Sequence, residues 1–257
     1  MQIAVGFLIA LMIGLTGVGG GTMTVPILVL FMGIPAAAAV GTALAFSAIV
    51  KIPAGLLYLR EHKVDFAVLR RLLMGGLPGV LAGGLLLGKL EGAGWRNVVL
   101  VVVGVTIALT AVFNLVRLVR NSESRPPGRE RRGLLPWLAF PIGLEVGFSS
   151  AGAGALGTLL LLYCTSLAAA QVVGTDLAFG LTLSAVGGGL HLGLGHLDRP
   201  LFLGLVAGGI PGALAGARLA TVLPTRALRA GLLVWLVFLG TQLLYRGVQA
   251  LSSGAAP

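Results

Sequence analysis

Apolar runs of about 20 residues recur through this chain, and a run of that length spans the roughly 30 Å hydrocarbon core of a bilayer as one helix. Four fall at about 3–32, 36–59, 68–88 and 97–118, and the pattern resumes from about residue 134. With 57% hydrophobic and 10% charged residues and a mean hydropathy of +1.02, the chain reads as an all-α, polytopic protein of the cytoplasmic (inner) membrane. A net charge of +10 in a soluble protein would suggest a nucleic-acid partner. Here the basic residues lie in short loops between apolar runs, where they set topology and meet anionic headgroups. The lipid bilayer is therefore the expected partner, and nucleic acid is not. Met1-Gln2 leads straight into apolar sequence without the basic n-region of a cleaved signal, so the first segment is expected to be retained. The single cysteine, Cys164, excludes an intramolecular disulfide and a multi-cysteine metal centre; it reads as a small packing residue. No cofactor is expected, and association into a homo-oligomer is left open.

The first run is interrupted by Gly17-Val18-Gly19-Gly20-Gly21. Glycine weakens a helix by roughly 1 kcal/mol per residue relative to alanine, so this cluster predicts a break. In hydrocarbon the freed backbone groups find no water, and such a break survives only when buried in protein or lining a wet cavity.

The chain then repeats itself. Gly41-Thr42-Ala43-Leu44-Ala45-Phe46 returns as Gly174-Thr175-Asp176-Leu177-Ala178-Phe179, and the run Gly75-Gly76-Leu77-Pro78-Gly79, expected to be flexible, returns as Gly208-Gly209-Ile210-Pro211-Gly212, both at an offset of 133. The same shift carries Gly19 to Gly152, Gly21 to Gly154 and Asp65 to Asp198. A constant offset over such a stretch reads as an internal duplication. The expected organisation is a first transmembrane repeat over 1–118, a basic cytoplasmic linker over 119–133 and a second repeat over 134–257. Residues 117–132 hold six arginines, two glutamates and a Pro-Pro pair, the composition of a solvated linker. Each repeat then has a glycine-broken first segment and three further transmembrane helices. The basic loop with Arg60, Lys63, Arg70 and Arg71 has its counterpart at 193–200, where Arg199 is offset by Asp198. That reversal favours inverted repeats over eight simple crossings, and an inverted pair requires the broken segments to enter and leave on one face.

Paired breaks at matching positions of two repeats point to a transporter's binding site. Helix N-termini exposed there favour an anion, and the substrate-binding residues expected are Gly19, Gly20, Gly21, Thr22, Ser149, Ser150, Gly152 and Gly154, with Thr16 beside the first break. Thr42 and Thr175 recur a few residues into the following segments and are expected to line the same site. The competing reading is that such small residues only let helices pack closely. Lys51 is the cation set deep in an apolar run, at a cost of about 3 kcal/mol near the bilayer centre, so it must face a cavity or an acid. Glu145 and Asp176 are the acids set inside apolar runs, hence its expected partners and the expected proton-coupling residues. His191 and His196 are expected near one membrane surface as satisfied interface histidines. No HExxH, Gly-x-Ser-x-Gly or P-loop lysine motif is present, so no enzyme activity and no bound metal are expected.

Gly17-Val18-Gly19-Gly20-Gly21 ahead of Val25-Pro26, Gly41-Thr42 after it, Gly174-Thr175 in the second half and the basic central linker together resemble the sulfite exporter TauE/SafE family, also described as a sulfonate uptake permease family. The resemblance implies a membrane transporter of sulfite, organosulfonates or related small sulfur-containing anions. By position, the matching residues are Gly19, Gly20, Gly21, Thr22, Thr42, Gly152, Gly154 and Thr175. The second break, with Ala151, Ala153 and a serine pair, departs from the pure glycine pattern. The expected function is alternating-access transport of such an anion, with Lys51 supplying positive potential and proton coupling through an acid. Two alternatives stand beside it: a membrane scaffold or assembly protein whose broken segments pack dry, and a transporter of another solute such as a metal cation.

Overall fold

The computed structural model describes residues 1–16, 20–92, 95–119, 131–151, 155–219 and 225–252. Within them the chain is helical, with the first run divided into α1 (Gln2–Thr16) and α2 (Gly20–Met32), followed by α3 (Ala36–Arg60), α4 (Phe66–Gly92) and α5 (Arg96–Val119). A single 3₁₀ turn at Arg132–Leu134 leads into α6 (Leu135–Ser149) and α7 (Ala155–Cys164), then α8 (Ala169–Gly193), α9 (Arg199–Leu219) and α10 (Thr225–Ser252). Helices α3, α4, α5, α8, α9 and α10 are long and apolar enough to cross a membrane, and α1 and α2 are shorter apolar helices.

The run at Gly75–Gly79, read from sequence as flexible, is continuous helix inside α4 with Pro78 within it. Its glycines have a packing task. Gly75, Gly79 and Gly83 press against the backbone of Pro136, Phe140 and Leu144 on α6, and Gly208, Gly212 and Gly216 on α9 press against Ile3, Phe7 and Leu11 on α1. Residue numbers rise together in both sets, so α6 runs parallel to α4 and α1 parallel to α9. A Cβ at any of these six positions would meet neighbouring backbone, the close approach that small residues permit in membrane bundles. Helices α5 and α10 pair antiparallel, with Gly240 on Ala108 and Gly247 on Val101. Between these pairs lies the antiparallel contact of α3 and α8, where Gly188 admits Ala45 and Gly55 meets Leu181.

The turns place the broken segments. The Arg131 amide donates to the Cys164 carbonyl at 3.0 Å, so the start of α6 and the end of α7 lie together: this pair enters and leaves on one side. Gln2 packs on Gly204 near the start of α9, and the Asp198 amide reaches Thr42 near the start of α3. The beginning of α1 and the α2–α3 turn therefore share the other side. That turn uses Gly33 at φ 68°, a left-handed position for which glycine is suited, and the Ile34 amide donates back to the Leu28 carbonyl.

The loops after α3 and α8 are built alike. The Glu61, His62 and Lys63 amides donate to Leu57, Leu59 and Tyr58, and the Leu194, Gly195 and His196 amides to Leu190, Leu192 and His191. Both loops take one left-handed residue, His62 at φ 54° and Gly195 at φ 77°. Both end on an aspartate capping the next helix, Asp65 accepting from Val68 and Asp198 from Leu201. Among the described residues, Arg60, Lys63, Arg70, Arg71, Arg131, Arg132 and Arg218 lie toward one surface, and Lys89, Arg199 and Arg246 toward the other. Trp95 and Trp137, 55% and 79% exposed at opposite surfaces, suit the two interfacial belts.

Candidate functional site

The α3–α8 contact is lined with polar groups. Ser47 and Lys51 are one turn apart on α3, and Asp176, Gly180 and Ser184 follow at four-residue steps on one face of α8. Lys51 Nζ donates to Ser184 Oγ at 3.3 Å. Asp176, 5% exposed, acts on Lys51 electrostatically, without a direct ion pair. From α7, Thr158 Oγ1 donates to Asp176 Oδ2 at 2.6 Å. Gly157, the residue before it, leaves the space that Asp176 Oδ1 occupies.

Gly19, Gly152 and Gly154 lie outside the described residues. Around them, α2 opens on Gly20, Gly21 and Thr22, with Gly21 and Thr22 buried, and Gly21 lies directly against the backbone and hydroxyl of Ser150. The edges of the two breaks thus touch. Ser150 ends α6 in the left-handed conformation at φ 61°, unusual for a residue with a side chain. Ser149 Oγ donates to the Glu145 carbonyl at 3.0 Å and accepts from the Ala151 amide at 3.2 Å. Ser47 Oγ, Ser150 Oγ and Asp176 Oδ1 are buried and carry no hydrogen bond within the protein. Leaving a buried polar atom unpaired costs about 1–3 kcal/mol, so each of the three serves something other than packing.

The sequence-derived residues divide. Lys51, Asp176, Gly20, Gly21, Thr22, Ser149 and Ser150 gather around the α3–α8 seam and the edges of the breaks. Thr42 and Thr175 are buried, and their hydroxyl oxygens accept the Asp198 and Asp65 amides at 3.4 and 3.0 Å; Thr42 anchors the loop after α8 and Thr175 the loop after α3. Glu145 turns to α5, where Thr110 Oγ1 donates to its Oε1 at 2.8 Å. Of the two acids considered for Lys51, Asp176 is the one in electrostatic reach. Ser47, Thr158 and Ser184 were not singled out from sequence. Ser184 had a usable signal, lying 133 residues from Lys51, and Ser47 another, lying one helical turn before it. Thr158 had none.

This arrangement offers one cation, neighbouring hydroxyls, one buried acid and the N-termini of α2 and α7 inside the bundle. Helix N-termini and an ammonium suit a small anion, and the acid can hold a proton.

The sulfite exporter TauE/SafE family model matches residues 2–243. Among curated proteins of Bacillus subtilis (strain 168), the chain is similar to the probable membrane transporter protein YjnA, 31% identical over 235 residues, or 88% of this chain and 92% of that one. It is also similar to the probable membrane transporter proteins YdhB, 26% identical over 95% of this chain and 99% of that one, and YunE, 22% identical over 91% and 93%. No solved structure matches it. The match along nearly the whole chain and the six membrane-crossing helices lead to one conclusion: this chain is a multi-pass membrane transporter that belongs to the sulfite exporter TauE/SafE family.

Proposed function

We propose that the chain is a secondary transporter that moves a small sulfur-containing anion, sulfite, an organosulfonate or a relative, across the cytoplasmic membrane by alternating access. The observation that carries this reading is the Lys51–Ser184 contact at the α3–α8 seam, in a bundle that also keeps Asp176 Oδ1, Ser47 Oγ and Ser150 Oγ buried and unbonded. A scaffold would have no reason to keep such groups unpaired in its interior. In this reading the substrate is coordinated by Lys51, Ser150, Ser149 and the amides at the start of α2 (Gly20, Gly21, Thr22) and α7, completed by Gly19, Gly152 and Gly154. Thr42 and Thr175 shape the site from the loops. Asp176 carries the coupling proton, and Glu145 is a second, half-buried acid on the α5 side of α6.

Alternating access follows from the proposed symmetry. The halves 1–118 and 134–257, joined by the linker 119–133, are inverted copies, and the reciprocal contacts support this: Thr42 with Asp198 and Thr175 with Asp65, Gly76 with Phe179 and Gly209 with Phe46. The surface carrying Arg60, Lys63, Arg70, Arg71, Arg131, Arg132 and Arg218 is the cytoplasmic one. Rocking one half against the other about the α3–α8 seam would expose the same site to either side. The test is uptake of radiolabelled sulfite, thiosulfate, sulfate and taurine into proteoliposomes, with and without a pH gradient. Saturable flux of one sulfur anion is expected; folded protein that moves none of them under any gradient would overturn the reading.

A further inference from the structure

At the end of α8 farther from Asp176, four groups from four elements form a chain that the proposed transport step does not use. His191, fully buried near the end of α8, has Nε2 3.1 Å from the Gly147 carbonyl on α6 and Nδ1 3.3 Å from Nδ1 of His196. His196, in the α8–α9 loop, has Nε2 3.5 Å from Glu91 Oε2 on α4, an oxygen that is buried and has no hydrogen bond. The ring centroids are 5.5 Å apart. Three glycines make room for the pair. A Cβ at Gly84 would lie 3.3 Å from His191 Nε2, one at Gly88 3.3 Å from His196 Cε1, and one at Gly41 2.8 Å from His191 Cβ.

The neighbours of these four nitrogens set their protons. A carbonyl only accepts, so His191 Nε2 must carry hydrogen; Glu91 Oε2, a buried carboxylate oxygen without a hydrogen bond, lies 3.5 Å from His196 Nε2 and favours a hydrogen there by its charge. The two Nδ1 atoms face each other, and one proton satisfies both, whereas two would collide and none would set lone pair against lone pair. Three protons on four nitrogens leave one positive charge on the pair. We propose that His191 and His196 form a binding site for a single proton at the surface opposite the basic loops. Glu91, at its outer end, also lines a cavity of about 320 Å³ with Asn97 and Arg246, which gives protons a route from that side. The other charged groups nearby are Asp198, bonded to the Leu201 amide, and exposed Lys89 and Arg246; the contacts from α3 and α6, through Gly41 and Gly147, are uncharged.

The bound proton holds the α8–α9 loop against the end of α8. Gly147 lies two residues before the end of α6, where a cation is favoured by the unpaired carbonyls. The charged pair therefore ties the last turn of α6 to α8 and, through Glu91, to α4. With both Nε2 hydrogens kept, losing the proton opens the Nδ1 contact and frees the α8–α9 loop and Glu91 from His191.

The test is ¹⁵N-histidine NMR of the full chain in nanodiscs between pH 5 and 8. The chain has three histidines, so His62→Gln isolates the pair. Both Nε2 atoms are expected to stay protonated while the pair loses one proton in a single step. Two rings titrating independently to two cations, or two neutral rings at pH 5, would overturn the site. Glu91→Gln keeps an acceptor without its charge, and should move the step by about one unit toward acid; an unmoved step would remove Glu91 from the chain. Hydrogen exchange over residues 194–198 should rise about tenfold beyond its intrinsic pH dependence when the proton leaves, and His196→Gln should abolish that rise. An unchanged exchange rate would overturn the release of the loop alone. Neither readout needs flux, so a silent uptake assay would count against the transport reading and leave the proton site standing.

Discussion

Lys51 on α3 and Ser184 on α8 meet at 3.3 Å, and they are separated by 133 residues, the same shift that relates the two halves of the sequence. A residue can touch its own counterpart only where the axis relating two copies passes between them. The proposed pseudo-twofold axis therefore runs through this contact, and the symmetry is broken there by chemistry: an ammonium on one side, a hydroxyl on the other. Asp176 deepens the asymmetry, since its counterpart is Ala43.

The touching breaks make Gly21 intolerant of a side chain. A Cβ there would meet Ser150 backbone, and overpacking against backbone costs about 1–3 kcal/mol or more. Gly21→Ala should lower the thermal midpoint of the purified protein by roughly 3–10 °C. Gly189→Ala, with nothing within 4 Å of the added carbon, should leave it unchanged or raise it slightly, since alanine favours helix.

The two long loops should respond alike. Asp65 and Asp198 each cap the following helix through Val68 and Leu201, so Asp65→Ala and Asp198→Ala should each cost about 1 kcal/mol. Thermal unfolding of the two variants should agree to within roughly 2 °C; a large effect confined to one of them would contradict the equivalence of the loops.

They differ at one backbone position. His62 takes the left-handed conformation that Gly195 takes in the other loop, and a side chain there costs about 1 kcal/mol. His62→Gly should raise the thermal midpoint by roughly 2–4 °C, with transport unaffected.

Opposite placement of the loops is open to direct labelling. In a Cys164→Ser background, a membrane-impermeant maleimide should label Leu194→Cys in intact cells and His62→Cys only after permeabilisation. Labelling of both from one side would contradict the inverted arrangement.

Much of this was legible in the sequence because hydropathy and glycine placement act locally. The lengths of α3, α4 and α5 follow from their apolar runs. The Gly75–Gly79 run was misread because a glycine's weakness as a helix former is visible in one segment, whereas the α6 backbone that needs its missing side chain is not. The same limit applies to Thr42 and Thr175: their recurrence was visible, but their partners, the Asp198 and Asp65 amides, belong to distant loops. Lys51 was legible as costly, and the choice of Asp176 over Glu145 was not, because it depends on which faces of α6 and α8 turn toward α3. The meeting of His191, His196 and Glu91 required the packed helices.

The most direct test of the central claim is uptake of ³⁵S-labelled sulfite into proteoliposomes by the wild type and Lys51→Met, compared side by side at matched protein and verified fold. Lys51 supplies the site's positive charge, so the substitution should reduce saturable uptake at least tenfold, a loss of about 1.4 kcal/mol or more in transition-state stabilisation, with Lys51→Arg retaining part of it. Equal saturable uptake by wild type and Lys51→Met would contradict a substrate site at the α3–α8 seam.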